Sequence, residues 1–288
     1  MADPAAGSAT PSVRQTVGGT RRRWFFGTGL LLIALTATGC SEQTKSEWSR
    51  GGLPEGATEQ STSIQNLWIG SWIAALAVGA LVWGLILWAV IAFRRRRSDG
   101  LPKQVKYNVP IEVLYTVAPL IMVIGLFVPV AKDQANLTEL TNTYTNSVNV
   151  VGFRWSWGFN YLDEQVYDVG VAGSKPVLWM PINERTRFKL TSPDVIHSFW
   201  VPNFLFKMDV IPGRLNQFEI TPNRAGTFFG ECAELCGVDH SRMLFNVKVV
   251  TRAEYDAHIA ELRANGQTGL LKTGRVSVKS NVRSGEIG

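Results

Sequence analysis

An uncharged apolar run of 27 residues, 67–93, leaves this chain few choices of fold. As a helix, a run of that length spans a bilayer with some tilt. Trp68 and Trp72 near one end and Trp88 near the other suit the two interfacial belts. Four arginines at 94–97 stop the run, and Lys103 and Lys106 follow, so six positive charges precede a second apolar run at 113–131. The positive-inside rule makes that loop cytoplasmic and returns the chain outward. The expectation is a two-helix transmembrane hairpin over 67–131 in a bacterial cell membrane, with both ends of the mature chain on the outer face.

The flanks agree with export. Arg21, Arg22 and Arg23 precede an apolar stretch at 24–35 and then T-A-T-G-C, the three parts of a signal peptide over 1–39. Gly39-Cys40 resembles a bacterial lipobox, although Ala37 stands where Leu or Val is usual. Cys40 is therefore expected to be lipidated and to become the mature N-terminus, with an ordinary cleaved signal as the alternative. Residues 40–66 are polar with Gly and Pro and read as an extracytoplasmic linker.

From Lys132 onward the pattern changes. Short stretches rich in β-branched and aromatic residues, at 147–153, 187–191, 215–220, 226–229 and 245–250, are punctuated by Pro, Gly and Asn. This pattern predicts an all-β sandwich or barrel over 132–250; the stretch 163–179 fits no clear element. The formal charge of the whole chain is +6, yet 132–250 holds 11 Lys and Arg against 12 Asp and Glu, a net of −1. The positive excess sits in the signal, the cytoplasmic loop and the tail, which argues against a nucleic-acid partner. Residues 251–288 read as a short helix and a polar tail. They carry no C-x-x-C-H, hence no covalent haem site. His258 has no companion ligand in sequence and is expected at the surface.

The chemistry is concentrated in G-E-C-A-E-L-C-G-V-D-H-S-R-M, residues 230–243. Cys232, Cys236, His240 and Met243 are soft or borderline ligands suited to copper, and His197 can join them. A mononuclear blue-copper site needs one thiolate, two His and a weak axial Met, so here there is one Cys too many. Two thiolates could bridge two coppers, each capped by one His. Met243 would then be a weak ligand of one copper and a main-chain carbonyl, that of Glu234, a ligand of the other. A Cys232–Cys236 disulfide and a structural zinc site remain as alternatives.

The segments H-S-F-W-V-P, I-P-G-R-L-N-Q and G-E-C-A-E-L-C-G-V-D-H-S-R-M resemble subunit II of the haem–copper cytochrome c oxidases. The resemblance is dense over 153–250 and extends through the hairpin. It implies a cupredoxin-like Greek-key barrel with a binuclear copper (CuA) centre held by His197, Cys232, Cys236, His240, Met243 and the Glu234 carbonyl. It also implies a magnesium ion on the Glu234 carboxylate, shared with subunit I, and haem in the partner subunit only. Trp155, in a W-x-W motif, is implied as the surface residue that takes the electron from a c-type cytochrome. The plainer reading places Phe153, Trp155 and Trp157 on one buried strand face. E-V-L-Y-T-V-A-P, residues 112–119, resembles a family segment in which the Glu lies at a proton-path entrance into subunit I, and Tyr115 replaces the common Trp. Glu112, Tyr115, Thr116 and Pro119 share a helix face. Asp194 matches a docking acid of the family, Asn160 replaces another, and Asp163, Asp168 and Asp239 could assist.

The implied function is acceptance of electrons from cytochrome c and their delivery to haem, where oxygen is reduced to water and protons are pumped. The chain would be part of that enzyme and not catalytic alone. The rival readings are a membrane-tethered copper carrier or sensor and a copper module of another respiratory reductase.

Overall fold

The structure, a computed structural model, describes residues 41–94, 104–141, 143–170 and 175–271. The expected signal peptide, Cys40, Lys103 and the tail beyond Leu271 lie outside the described residues. The chain divides after Ser49, and the described residues of the first unit hold one short helix, α1 (Glu42–Ser49).

In the second unit, α2 (Ser61–Ala92) and α3 (Val109–Thr138) are both long and apolar enough to cross a membrane. Their apolar side chains stand exposed along their length, as expected of surfaces meant for lipid or a partner. Both overrun the apolar runs of the sequence. Hydropathy marks where hydrocarbon ends, whereas a helix continues until a cap stops it. At the start of α3 the Asn108 side chain accepts the Ile111 N–H, with Pro110 in the first turn.

Among the described residues ten strands follow: β1 (Asn146–Phe153), β2 (Ser156–Tyr161), β3 (Val166–Val169), β4 (Val177–Pro181), β5 (Thr186–Thr191), β6 (His197–Val201), β7 (Phe206–Val210), β8 (Asn216–Ile220), β9 (Gly226–Cys232) and β10 (Leu244–Val250). They form two five-stranded sheets, ordered β3-β2-β1-β5-β8 and β4-β10-β9-β6-β7. All pairings are antiparallel except β1 with β5 and β4 with β10. This is the cupredoxin-like arrangement that the resemblance implies. The unplaced stretch 163–179 holds β3 and most of β4. β3 is a four-residue edge strand with only Val166 buried, too short to show alternation.

The core between the sheets is aromatic. Phe199 stacks on Phe245 at 4.8 Å and Phe188 on Phe218 at 4.9 Å between ring centres, and Trp157 meets Phe245 edge-on at 5.3 Å. The strands give the domain two poles. The β1–β2 turn, the start of β6 and the loop from Cys232 to Met243 lie at one. The starts of β1 and β5, the end of β8 and the turn after β6 lie at the other.

Two expectations change here. Residues 55–61 are more than a connection: Ala57 and Thr58 are fully buried, and Ala57 bonds through its N–H to the Asn203 carbonyl and through its carbonyl to the Asn223 N–H. His258 is not a surface residue. It lies on α4 (Arg252–Ala264), whose Tyr255, Ile259 and Leu262 are buried, and its ring stacks on Trp179 at 4.3 Å. The spacing of four and three residues puts these on the inner face of α4. The helix starts from a capping box between Thr251 and Glu254.

Candidate metal centre

Three elements bring the soft ligands together. β6 supplies His197 at its first position, β9 supplies Cys232 at its last, and the loop onward to β10 supplies Cys236, His240 and Met243. Antiparallel pairing of Phe199 with Cys232 fixes the first two side by side. Cys232 N–H donates to the Met243 carbonyl at 3.2 Å, which closes the loop on itself. Trp157, fully buried, donates its indole N–H to the same carbonyl at 3.3 Å.

The donor atoms converge. The two Sγ atoms lie 3.9 Å apart. Cys232 Sγ is 3.9 Å from His197 Nδ1 and 3.2 Å from the Glu234 carbonyl oxygen. Cys236 Sγ is 3.5 Å from His240 Nδ1 and 3.8 Å from Met243 Sδ. His197, Cys232 and Cys236 alone already have the proximity of a metal site. Both cysteines are free thiols, and 3.9 Å is well beyond a disulfide bond of about 2.05 Å. A tetrahedral zinc site uses four donors, whereas six of mixed softness gather here, with a thioether and a carbonyl among them. The donor set fits soft copper.

The surroundings prepare the ligands. Asp194 Oδ1 sits 2.9 Å from His197 Nε2, which leaves Nδ1 to face the sulfurs. Asp194 also accepts the main-chain N–H groups of Arg154 and Val195 at 2.8 and 2.6 Å. Burial alone would raise its carboxyl, but these donors and His197 hold it below the ordinary value. Burial pushes the His197 imidazole down, against the pull of Asp194, and so favours the neutral, ligating form. Burial and the neighbouring Cys232 push the Cys236 thiol up to about 12. A metal must therefore displace protons to bind.

The Asp194 carboxylate is thus engaged by His197, Arg154 and Val195, and its side chain is 19 % exposed. Asp163 accepts the Ser147 N–H at the opposite pole and Asp168 the Val169 N–H, so neither is a free acid beside the metal loops. Asp239 does lie in the loop, 3.4 Å from Arg242.

Trp155 is placed by a turn and not by a strand. Phe153 pairs directly with Ser156, so Arg154 and Trp155 form the two-residue hairpin loop. The alternation that would bury Trp155 with Phe153 and Trp157 is broken there. Trp155 is partly buried, and its indole N–H donates to the Cys236 carbonyl at 3.1 Å. Gly237 (φ 124°) lies beneath it, where a Cβ would stand 3.0 Å from Trp155 Nε1. Beside this ring Leu235 and Val238 project from the loop, 76 % and 88 % exposed; their apolar character in a ligand loop was the available signal.

Glu112 is not part of this cluster. It stands in the first turn of α3, about 40 Å of helix from Thr138. Its carboxylate accepts the Asn108 N–H at 2.8 Å, and its carbonyl accepts the Thr116 hydroxyl at 2.8 Å.

Comparison with known proteins bears on this arrangement. A family model for the transmembrane domain of cytochrome c oxidase subunit II matches residues 46–132, and one for the periplasmic domain of the same subunit matches 171–250. A probable cytochrome c oxidase subunit 2 of Streptomyces avermitilis is 49 % identical, over 84 % of this chain and 88 % of its own length. The chain belongs to the cytochrome c oxidase subunit II family. Cytochrome c oxidase subunit 2 of Mycobacterium tuberculosis is 32 % identical over 82 % of this chain and 80 % of that protein. The crystal structure of the periplasmic domain of subunit II of cytochrome oxidase from Bradyrhizobium japonicum is similar too, at 29 % identity and a TM-score of 0.41. It covers 44 % of this chain and 99 % of that one. Family membership assigns α2 and α3 as the two spans of a membrane subunit, and the His and Cys cluster fits the copper centre for which the family's outer domain is built.

Proposed function

We propose that this chain accepts electrons from a c-type cytochrome for a proton-pumping terminal oxidase. Its copper ligands are His197, Cys232, Cys236, His240, Met243 and the Glu234 carbonyl. The observation that carries the reading is the convergence of these six donors at one pole, two thiol sulfurs at 3.9 Å flanked by two Nδ1 atoms. When bound by these residues, a copper pair would supply a one-electron carrier between the donor and the haem.

The chain's own residues do the remaining work. Asp194 orients His197 from behind. Trp155, in contact with the Cys236 carbonyl, faces the donor, and Leu235 and Val238 beside it offer apolar contact of the kind found in partner sites. The Glu234 carboxylate, exposed next to the ligand loop, is free to hold magnesium at the boundary with subunit I, the subunit that carries the haem. Glu112, at the other end of α3, stands at a proton-path entrance. The mature chain begins at a lipidated Cys40, and its ends face outward. A carrier or sensor of copper would need neither Glu112 nor Trp155, which disfavours that alternative.

Copper quantitation and electron paramagnetic resonance on the purified oxidase test the reading. Two coppers per chain sharing one unpaired electron are expected. One copper, zinc, or a Cys232–Cys236 disulfide in the active enzyme refutes it.

A further inference from the structure

Both membrane helices are fastened to the barrel at one place, and that place is the pole away from the metal loops. The chain leading into α2 is tied by a strap. Glu59 N–H donates to the Thr221 carbonyl at 3.0 Å, Thr221 N–H to the Gln60 side chain at 3.2 Å, and Asn203 Nδ2 to the Glu55 carbonyl at 3.0 Å. Arg224 pairs with the Glu55 carboxylate at 3.0 Å. The chain leaving α3 is tied by a clasp at Thr141, three residues past the helix. Thr141 donates its N–H to both carboxylate oxygens of Glu219 at 3.2 Å and its hydroxyl to Oε2 at 2.8 Å. Its carbonyl accepts from Arg187 Nη2, and its hydroxyl accepts from Arg185 Nη1 at 3.1 Å. Strap and clasp thus share the segment 219–224, with Asn203 on the strap side and Arg185 and Arg187 on the clasp side.

Glu219 is the centre of the clasp. Its side chain is 3 % exposed, and it faces Arg187 at 2.8 Å and Arg185 at 3.7 Å. The Arg187 guanidinium in turn lies 4.0 Å from the Tyr144 ring centre. A buried charge cluster is a poor way to add stability, because desolvation offsets most of the attraction; what such a cluster can do is select one arrangement. The arrangement selected here is the angle between the end of α3 and the sheet. β5 runs from this pole to the metal pole and β6 runs back, so both act as rigid arms between the two. A small tilt at Thr141 becomes a larger displacement at His197 and Cys236.

We infer that Glu219 is a positioning residue which, by clasping Thr141, fixes where the metal loops sit over the membrane and hence how far they stand from the electron acceptor in the partner subunit. The inference rests on the electron-accepting function proposed above and deepens it. Electron tunnelling falls off exponentially with distance, so onward transfer is the step most sensitive to such a tilt. Receipt of electrons from a diffusing donor, which can follow the barrel as it tilts, is much less so.

The test uses the assembled oxidase carrying Thr141→Val, Thr141→Ser or Glu219→Gln. Thr141→Val removes the hydroxyl while leaving the Arg187–Glu219 pair of the barrel whole, so it keeps the question open if Glu219→Gln fails to fold. The copper absorption spectrum, the rate of reduction of the copper centre by cytochrome c, and the rate of the following haem reduction are measured on each. In Thr141→Val the spectrum and the first rate stay within about twofold of wild type. The second rate falls well below the twofold limit set for the first, because tunnelling decays exponentially with the distance that the tilt adds. Thr141→Ser restores it. Onward transfer at the wild-type rate in Thr141→Val with an intact copper spectrum overturns the inference, as does parallel loss of copper and of both rates. If the wild-type oxidase itself shows no two-copper spectrum and no reduction by cytochrome c, the electron-accepting reading falls and this inference with it; unaffected variants of a working oxidase sink the inference alone.

Discussion

The indole N–H of Trp155 donates to the main-chain carbonyl of Cys236 at 3.1 Å. An aromatic ring on the two-residue β1–β2 turn is thereby joined, through one hydrogen bond and the bonds within one residue, to the Cys236 thiol of the candidate metal centre. Trp157, two residues on, is fully buried and bonds Met243 instead. The two tryptophans therefore serve one loop from outside and from inside, and their substitutions should behave differently.

Trp155→Gln is expected to slow electron transfer from cytochrome c by about tenfold or more, since it removes a contact aligned with the acceptor. Copper content should persist, with stability lower by only about 1–2 kcal/mol, the scale of one lost hydrogen bond. Trp157→Ala, by contrast, should cost about 3–5 kcal/mol and release copper. Stopped-flow kinetics, copper content and thermal melting on the same samples check this. A melted, copper-poor Trp155→Gln would make Trp155 a core residue and not a gate.

Asp194→Asn tests ligand orientation against docking. The carboxylate holds His197 Nε2 at 2.9 Å, and loss of such a partner typically weakens metal binding about 10–100-fold. Copper retention against a chelator should fall on that scale. Association with cytochrome c and its salt dependence should hardly move. The converse result, weaker and less salt-dependent association with normal copper retention, would return Asp194 to a docking role.

Glu112→Gln separates proton delivery from helix capping. The Gln side-chain oxygen can still accept the Asn108 N–H, so the start of α3 should remain intact. Steady-state turnover is expected to drop several-fold while reduction of the copper centre by cytochrome c keeps its rate. Unchanged turnover would leave Glu112 as a local cap.

His258 predicts an acid sensitivity of α4. Burial against Trp179 lowers its pKa, opposed by Glu261 and Asp168 and helped by Lys248. The unfolded chain, with an ordinary value of about 6.5, takes up the proton more readily than the folded one. The stabilisation is therefore present in full above about pH 6.5 and is lost as pH falls below it. His258→Phe should keep the ring stacked and flatten the decline of the melting temperature between about pH 7 and 5. An unchanged slope would assign that decline to other groups.

The sequence by itself determined the parts whose signal is local. Two long apolar runs separated by a basic loop specify spans whatever surrounds them, and a C-x3-C-x3-H-x2-M spacing collects soft ligands within one loop. Richness in β-branched and aromatic residues, with Pro, Gly and Asn between, located five of the ten described strands. The edge strand β3 was too short to stand out in this way. What only the tertiary structure decided are relationships between distant residues. The hairpin pairing of Phe153 with Ser156 put Trp155 on the turn, partly buried at the edge of the core instead of inside it. The approach of residue 194 to 197 across a tight turn drew Asp194 inward to His197, although in sequence it looks like a surface acid. His258 found Trp179, 79 positions earlier, and Thr141 found Glu219 across 78 positions. Such pairs leave no periodic trace along the chain, because they are set by which strands become neighbours, and that is fixed only when two sheets close over a shared core.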